Sequence, residues 1–204
     1  MSKFIVFEGG EGVGKSTQLE LLKEYLERTE QKAVFTREPG GTPLAEKIRR
    51  LILTEPMCAD CESLLFAAQR AEHIENFIKP ELEKGNIVVC DRYLDSSLAY
   101  QGYARGLTEE KVLAYNAYAV QNCLPDAIVF IDMDPTKSWR RRSGDVIEND
   151  RLEKEADAFH SAVYKGFQML AEKNERYIRI VPDEDKLVTA VKIVEALRSK
   201  GIIK

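Results

Sequence analysis

The 204-residue chain is 44% hydrophobic and 31% charged, and its formal net charge is −4 at pH 7. A chain of this size can bury one sizeable core, so we predict a single domain, and its acidic balance offers no general basic field for nucleic acid. No apolar stretch approaches the roughly 20 residues of a membrane span, and no signal peptide precedes the first apolar run, so we predict neither a membrane nor a nucleic-acid partner.

The first predicted strand, residues 4–7, leads directly into a phosphate-binding loop. The loop reads Gly9-Gly10-Glu11-Gly12-Val13-Gly14-Lys15-Ser16, followed by Thr17 and an amphipathic helical stretch. Glycines let the backbone wrap around phosphate oxygens with successive N–H groups pointing inward, and the helix start adds a positive dipole end. We expect residues 9–17 to bind ATP, with Lys15 at the β- and γ-phosphates and the Ser16 hydroxyl on Mg²⁺.

The second predicted strand, residues 33–36, is followed by the segment Arg37-Glu38-Pro39-Gly40-Gly41-Thr42. The proline and the two glycines predict a tight turn, which would bring Arg37 to the same sheet edge as the phosphate loop. Arginine there can bind a phosphate through two N–H groups, or it can form a surface salt bridge with Glu38. The residues alone leave both readings open.

The next segment contains a pair of cysteines ahead of a helical pattern. Cys58 and Cys61 form a C-x-x-C sequence, but zinc needs four ligands, and neither Cys90 nor Cys123 supplies a second pair. We interpret Cys58 and Cys61 as ordinary thiols in a loop. Few and scattered cysteines are typical of a reduced protein and predict a cytoplasmic location.

The two predicted helices on either side of this pair differ in their polar content. The first has an apolar stripe of Leu44, Ile48, Leu51 and Ile52. In the second, Phe66 and Arg70 are four residues apart and therefore share one face. An aromatic ring can stack on a nucleobase and a guanidinium can bond its carbonyl, although Phe66 taken alone is more typical of a core residue than of a ligand-binding one.

The third predicted strand, residues 87–90, ends at Asp91-Arg92-Tyr93. A carboxylate after a buried strand, in a chain with a phosphate loop, predicts that Asp91 lies near Mg²⁺ or its waters. Arg92 could clamp a second phosphoryl group, or it could pair with Asp91 to fix the loop. The weakly charged segment that follows offers hydrogen bonds to a base or sugar edge through Ser97, Tyr100 and Gln101.

Strands at 127–131 and 177–181 complete an alternation of strand and helix patterns. This alternation predicts a parallel sheet covered on both faces, with ligands beyond the carboxyl ends of its strands. A charged stretch from residue 139 to 155 interrupts the pattern and contains Arg140, Arg141, Arg142 and Arg151. It is either a solvated surface or a mobile lid, at about 140–153, whose arginines close over phosphates.

Taken together, residues 4–181 resemble the thymidylate kinases, which phosphorylate dTMP. The segments that carry the resemblance are Phe7-Glu8-Gly9 with the phosphate loop, Arg37 to Thr42, Phe66-Ala67-Ala68-Gln69-Arg70-Ala71-Glu72-His73, Asp91-Arg92-Tyr93 with Ser96-Ser97 and Tyr100-Gln101-Gly102, and Asp150-Arg151-Leu152-Glu153. The resemblance implies a P-loop NTPase fold of the nucleoside-monophosphate-kinase type, with a five-stranded parallel sheet flanked by helices. It further implies one domain over residues 1–204, Mg²⁺ as cofactor, ATP as phosphoryl donor, and a homodimer.

The resemblance also implies a role for each matching residue. Lys15 and Ser16 would hold the ATP phosphates and Mg²⁺, Asp91 would lie in the metal region, and Glu11 would face the 3′-hydroxyl side of the deoxyribose. The predicted dTMP-binding residues are Arg37 and Arg92 for the phosphate, Tyr100 for the sugar, and four residues for the base: Phe66, Arg70, Ser97 and Gln101. Some relatives carry a phosphate-loop arginine where this chain has Gly12. In relatives without it, of the bacterial type, a lid arginine supplies the missing cation, and Arg141 and Arg151 of this chain align best with the lid pattern.

Two other functions remain open at this point. A kinase for another nucleoside monophosphate or for a deoxynucleoside would share most of these motifs, although two clamping arginines favour an acceptor that already bears phosphate. A non-catalytic P-loop module that senses nucleotides is the second alternative. The chain lacks the N-K-x-D guanine motif of GTPase switches, and it retains Lys15 and both clamp arginines.

Overall fold

The structure is a computed structural model that describes residues 2–138, Leu152 and residues 155–204. Its described part is built around a five-stranded sheet with the strand order β2-β3-β1-β4-β5. The strands are β1 (Lys3–Glu8), β2 (Ala33–Arg37), β3 (Ile87–Asp91), β4 (Ala127–Ile131) and β5 (Tyr177–Ile180). Every neighbouring pair runs parallel, so the predicted five-stranded parallel sheet flanked by helices is confirmed.

Helices connect the strands and cover both faces of the sheet. The α-helices are α1 (Lys15–Arg28), α2 (Pro43–Thr54), α3 (Ala59–His73), α4 (Lys79–Glu83), α5 (Leu94–Ser97), α6 (Glu109–Val120), α7 (Asp157–Lys173) and α8 (Lys186–Ser199). Two π-helical segments, Ile74–Ile78 and Leu98–Ala104, continue α3 and α5, and a 3₁₀ turn spans Pro135–Lys137. Within the described residues, no helix combines the length and the apolar character needed to cross a bilayer.

The central strands are buried along almost their whole length, as expected for a sheet with helices on both faces. Because successive side chains of a strand point to opposite faces, β1 sends Phe4 and Val6 into one core and Ile5 and Phe7 into another. The first core also contains the aromatic residue Phe167 of α7. These two cores hold the strand ends, and hence the polar residues that follow them, in fixed positions.

The strand order places a crevice at the carboxyl end of β1. The chain first builds β2 and β3 on one side of β1 and then crosses to β4 on its other side. Such a reversal is a topological switch point, where open α/β sheets bind their ligands. The phosphate loop follows β1 at this point.

One sequence interpretation was partly wrong. Cys58 and Cys61 are free and exposed, but only Cys58 lies outside a helix, as the N-cap of α3, while Cys61 belongs to its first turn. The helix predicted from the apolar stripe of α2 is confirmed, and the stripe is only partly buried: Ile52 is inaccessible, whereas Leu44 and Leu51 are about half exposed.

Candidate active site

The phosphate loop connects β1 to α1 through three glycines with positive φ. The values are 146° at Gly9, 66° at Gly12 and 93° at Gly14, where the last residue precedes the first turn of α1. A Cβ at Gly9 would lie 3.0 Å from the carbonyl oxygen of Ile131, so the loop also needs glycine there for space. The loop therefore presents its backbone at the start of a helix, as anion binding requires.

Lys15 lies folded over this loop. Its Nζ donates to the carbonyl oxygens of Gly9 and Gly10 at 3.2 and 2.9 Å, and the side chain is buried. Burial, followed by the nearby Arg92 cation, lowers the pKa of the ammonium. Ser16 and Thr17, in the first turn of α1, are exposed, as groups that meet a ligand should be.

Arg92 reaches the phosphate loop from the end of β3. Its Nη1 donates to the Gly9 carbonyl at 2.9 Å and to Ser96 Oγ at 3.2 Å, and its Nη2 donates to Glu11 Oε1 at 2.5 Å. Tyr100 completes the cluster, because its hydroxyl donates to the same Glu11 oxygen at 2.7 Å and its ring lies 5.1 Å from the guanidinium. The structure thus brings Lys15, Glu11, Arg92 and Tyr100 together at the end of β1.

The pKa values of two carboxyl groups, Glu8 at the end of β1 and Glu11 in the phosphate loop, are shifted in opposite directions. Glu8 is fully buried, and burial raises its pKa to about 8, although Arg92 and the hydrogen bonds from Ser96 and Tyr93 act against the rise. Desolvation also acts to raise the pKa of Glu11, but Arg92 and Lys15 outweigh it and lower that pKa to about 2. At neutral pH one carboxyl is therefore mostly protonated and the other is an anion.

The residues predicted to hold Mg²⁺ fit a metal that is bound mainly by nucleotide phosphates. Asp91 Oδ1 is buried and has no hydrogen-bond partner among the described residues, so it can accept from a metal-bound water. The Ser16 hydroxyl is exposed at the start of α1. No cluster of three or more His, Cys, Asp and Glu that could hold a metal occurs in the described ranges.

Arg37 lies on the strand next to Arg92. It pairs with Asp91 in the β2–β3 register, and its half-exposed Nη2 donates to Glu46 Oε2 at 3.0 Å. The alternative pairing with Glu38 does not form, because Glu38 points inward and is buried. An exposed guanidinium held by one weak surface contact can exchange that partner for a phosphate at little cost.

Two of the predicted base-contacting residues, Phe66 and Arg70, lie on α3. Phe66 packs with Ile52 and Leu152, and Arg70 is almost fully buried. Arg70 donates through Nε to Glu38 Oε2 at 2.8 Å, through Nη1 to Asn116, and through Nη2 to the Tyr93 carbonyl and Ser97 Oγ, at 3.0 and 3.2 Å. These contacts place Arg70 beside Ser97, another residue that the resemblance assigns to the base, inside a network that the sequence did not predict.

The sequence gives no signal for several contacts around this site. His73 is fully buried and joins Glu38 at 3.0 Å and Thr36 at 2.7 Å. Gln101 is also buried and donates through Nε2 to Glu62 Oε1 at 2.8 Å. The resemblance contained Glu38, His73 and Gln101, but their mutual distances depend on the fold.

The four lid arginines, Arg140, Arg141, Arg142 and Arg151, lie outside the described residues. The nearest described position is Leu152, which is buried against Phe66 and Ile52. That contact joins the segment predicted as a lid to the helix that carries the base-contacting residues.

Comparisons with known proteins identify the family of the chain. The family model described as "Thymidylate kinase" matches residues 7–192. Thymidylate kinases from Symbiobacterium thermophilum and Finegoldia magna are 45% and 43% identical to this chain, over 89% and 98% of it and 85% and 100% of their own lengths. A crystal structure of thymidylate kinase from Ehrlichia chaffeensis has a TM-score of 0.79 and 34% identity, and the match covers 97% of this chain and 98% of that one. The chain therefore belongs to the thymidylate kinase family, and its sheet is that of a P-loop nucleoside monophosphate kinase.

Proposed function

We propose that this protein transfers the γ-phosphoryl group of ATP to dTMP, giving dTDP and ADP, in the synthesis of dTTP. The observation that carries the proposal is the meeting of two phosphate-binding elements at the end of β1. Lys15 and the loop glycines form one element, and Arg92, reaching Gly9 and Glu11, forms the other. Family membership supports dTMP as the acceptor.

In this reaction a phosphate oxygen of dTMP forms a bond to the γ-phosphorus while the bond to the β,γ-bridging oxygen breaks, and ADP leaves with that electron pair. The transition state is loose and its charge lies on peripheral oxygens, so the protein mainly positions and neutralises. The acceptor is already an anion and needs no strong general base. Mg²⁺, held by Ser16 and through water by Asp91, would neutralise charge on the donor phosphates.

Arg37 and Arg92 would bind the dTMP phosphate, and Lys15 the transferring group. Arg92 is well prepared for this task, because Glu11, Ser96 and the Tyr100 ring restrict its side chain. Preorganised cations stabilise a transition state without a reorganisation cost at the moment of reaction. We also propose that Arg141 and Arg151 approach the donor phosphates from a lid.

On the nucleoside side, Phe66 would stack on thymine and Arg70 and Ser97 would meet its polar edge. Tyr100, fixed by its bond to Glu11, would crowd the 2′ position and disfavour ribose. Glu11, kept anionic by Arg92, would face the 3′-hydroxyl side. These groups lie on α3, on α5 and its continuation, and on the phosphate loop after β1.

We further propose that the protein is a cytoplasmic homodimer. Helix α3 packs between α2 and α6, and each of these helices exposes a large apolar side chain: Leu51, Leu64 and Tyr118. Neighbouring exposed apolar groups mark an interaction surface. Fractionation of cells would test the location.

The function is tested by ADP release with ATP and Mg²⁺ against dTMP, dUMP, dCMP, dGMP, UMP and thymidine. We expect strong preference for dTMP, weak turnover of UMP because of Tyr100, and none of thymidine because its neutral hydroxyl would need a general base whereas the dTMP phosphate is already an anion. Preferred turnover of another acceptor would overturn the substrate assignment and leave a kinase for a different nucleotide. ATP binding without acceptor-dependent ADP release would instead indicate a nucleotide-sensing module.

A further inference from the structure

The two exposed thiols of the chain lie together at the beginning of α3. Cys58 is the N-cap residue and Cys61 is the third residue of the helix, and both are free and exposed. Cys90, by contrast, is buried and Cys123 is half-buried, and burial raises the pKa of both of these thiols. Because the thiolate is the form that attacks a disulfide, burial makes Cys90 and Cys123 poor partners for thiol exchange, whereas the pair at α3 is open to it.

The start of the helix determines how far apart Cys58 and Cys61 lie. The carbonyl oxygen of Cys58 accepts a hydrogen bond from the Glu62 amide at 3.0 Å, so the first helical turn already closes on Cys58. With about 1.5 Å of rise and about 100° of rotation per residue, Cα atoms three positions apart in a helix lie about 5 Å from each other. A disulfide needs a Cα separation of about 4.4–6.8 Å, so this backbone can carry one as it stands.

The side-chain directions at this helix end favour the same pairing. The Cα–Cβ bond of a helical residue is tilted toward the N-terminus, so Cys61 points back toward Cys58. An N-cap side chain normally turns toward the amides of the second and third helical residues, and Cys58 makes no side-chain capping hydrogen bond that would hold its sulfur elsewhere. The two sulfurs can therefore meet by rotation about the side-chain bonds alone.

Contacts of the neighbouring residues keep the first turn of α3 in place. Asp60 Oδ1 accepts from the Tyr115 hydroxyl at 2.7 Å and pairs with Lys111 at 2.6 Å, which ties this turn to α6. Glu62 is buried and accepts from Gln101 Nε2 at 2.8 Å. A bond between the two exposed sulfurs breaks none of these contacts, so the helix can stay folded in both redox states.

We propose that Cys58 and Cys61 form a redox-active dithiol, a modification site that reacts reversibly with small disulfides such as oxidised glutathione. The Cys58 thiolate attacks one sulfur of the small disulfide, and the other sulfur leaves and takes up a proton. Cys61 then attacks the Cys58 sulfur of this mixed disulfide and releases the second half in the same way. Two protein thiols are thereby oxidised to one disulfide, and the small disulfide is reduced to two thiols that carry the two protons.

Cys58 makes the first attack in this scheme, since only one thiol has to meet the small disulfide. It precedes the helix, whereas Cys61 shares a helix face with the exposed Leu64, part of the surface proposed for the dimer. Cys61 has only to reach Cys58. In a reducing compartment such a pair rests as a dithiol and closes when the proportion of small disulfide rises, so this site responds to redox state.

The test is reaction of the reduced protein with oxidised glutathione, followed by mass spectrometry of the intact chain and of its peptides. We expect the wild type to lose two hydrogen atoms and to link Cys58 to Cys61, and dithiothreitol to restore both thiols. Cys61→Ser should instead stop at the mixed disulfide, with one glutathione on Cys58. Cys58→Ser should react at least about tenfold more slowly, because its remaining thiol lies within the helical turn.

Cys123→Ser, which removes a half-buried thiol, is the matched control and should form the disulfide as the wild type does. A wild type that carries glutathione on Cys58 or Cys61 but closes no disulfide would overturn the inference. So would a disulfide that joins two chains, which a non-reducing gel detects, and equal reaction rates of the two serine variants would overturn the order of attack. Because no nucleotide takes part, failure of the proposed kinase reaction would leave these results unchanged.

Discussion

At the scale of single residues, the site depends on two carboxylates three positions apart. Glu8 accepts hydrogen bonds from Tyr93 N and Ser96 N and Oγ, at 2.9, 3.1 and 2.6 Å, and so fixes the turn in which Arg92 has a φ of 68°. Glu11 instead faces the Arg92 guanidinium. Burial governs the first and ion pairing the second, so their environments pull their pKa values apart.

The raised pKa of Glu8 predicts a pH dependence of stability. The folded protein binds this proton up to about pH 8, while the unfolded chain releases it near pH 4.5, so the folded state holds more protons between these values. Stability therefore falls as pH rises through this window, by up to about 1.4 kcal/mol for each pH unit. We expect Glu8→Gln to remove this loss, so that the variant gains stability relative to the wild type as pH rises from about 6 to about 8.

Urea unfolding at several pH values measures the effect. Glu75→Gln serves as the control, because its side chain is 65% exposed and its stability difference from wild type should stay flat. A difference for Glu8→Gln that does not change with pH would show that Glu8 is ionised in the folded protein throughout the window.

At the scale of elements, the strands were predictable and the helix faces were less so. Strands β1, β3 and β4 are continuous apolar runs, as expected for strands that are buried on both faces of a sheet. The observed β1 is one residue longer at each end than the predicted strand. The stripe of α2 correctly predicted a helix, but apolar periodicity shows only that a helix has an apolar face and not how much of that face a neighbour covers. The Cys58 N-cap had no signal, since cysteine is not a typical capping residue.

The turn after β2 shows how tightly one element is built around its neighbour. Gly41 has a φ of 89°, and a Cβ there would lie 2.7 Å from Thr36 Oγ1 and press on the His73 ring. We expect Gly41→Ala to destabilise the fold through both backbone strain and overpacking. Because Arg37 begins this turn, KM for dTMP should also rise.

Gly85 offers a matched comparison, since its φ is 84° and no atom lies within 4 Å of the position that a Cβ would take there. Gly85→Ala should suffer only the backbone strain. Denaturant unfolding should therefore place Gly41→Ala about 1–3 kcal/mol below Gly85→Ala, which is the overpacking cost alone. Equal losses would mean that His73 and Thr36 move aside freely.

At the scale of the whole molecule, the sequence predicted motifs at the strand ends but not the network of contacts around Arg70. Motifs at strand ends are visible because each is contiguous, and the parallel sheet brings their ends to one edge. Arg70 lies 32 positions from Glu38 and 46 from Asn116 along the chain yet bonds to both, and only the packing of α3 against its neighbours joins them. Pairings of this kind depend on tertiary contacts that no local pattern encodes.

The proposed homodimer gives a prediction at the same scale. If the surface of α2 and α3 forms the interface, Leu51→Asp/Leu64→Asp buries two unpaired charges and should shift the protein to monomers at micromolar concentration. Light scattering after size exclusion measures the mass. Val191→Asp is the control, because Val191 is similarly exposed on α8, which packs on α1 instead, and this variant should remain dimeric. Exposed apolar side chains occur both on α2 and α3 and on α8. If Val191→Asp dissociates the protein while the double variant stays dimeric, the interface therefore lies on the α8 surface instead.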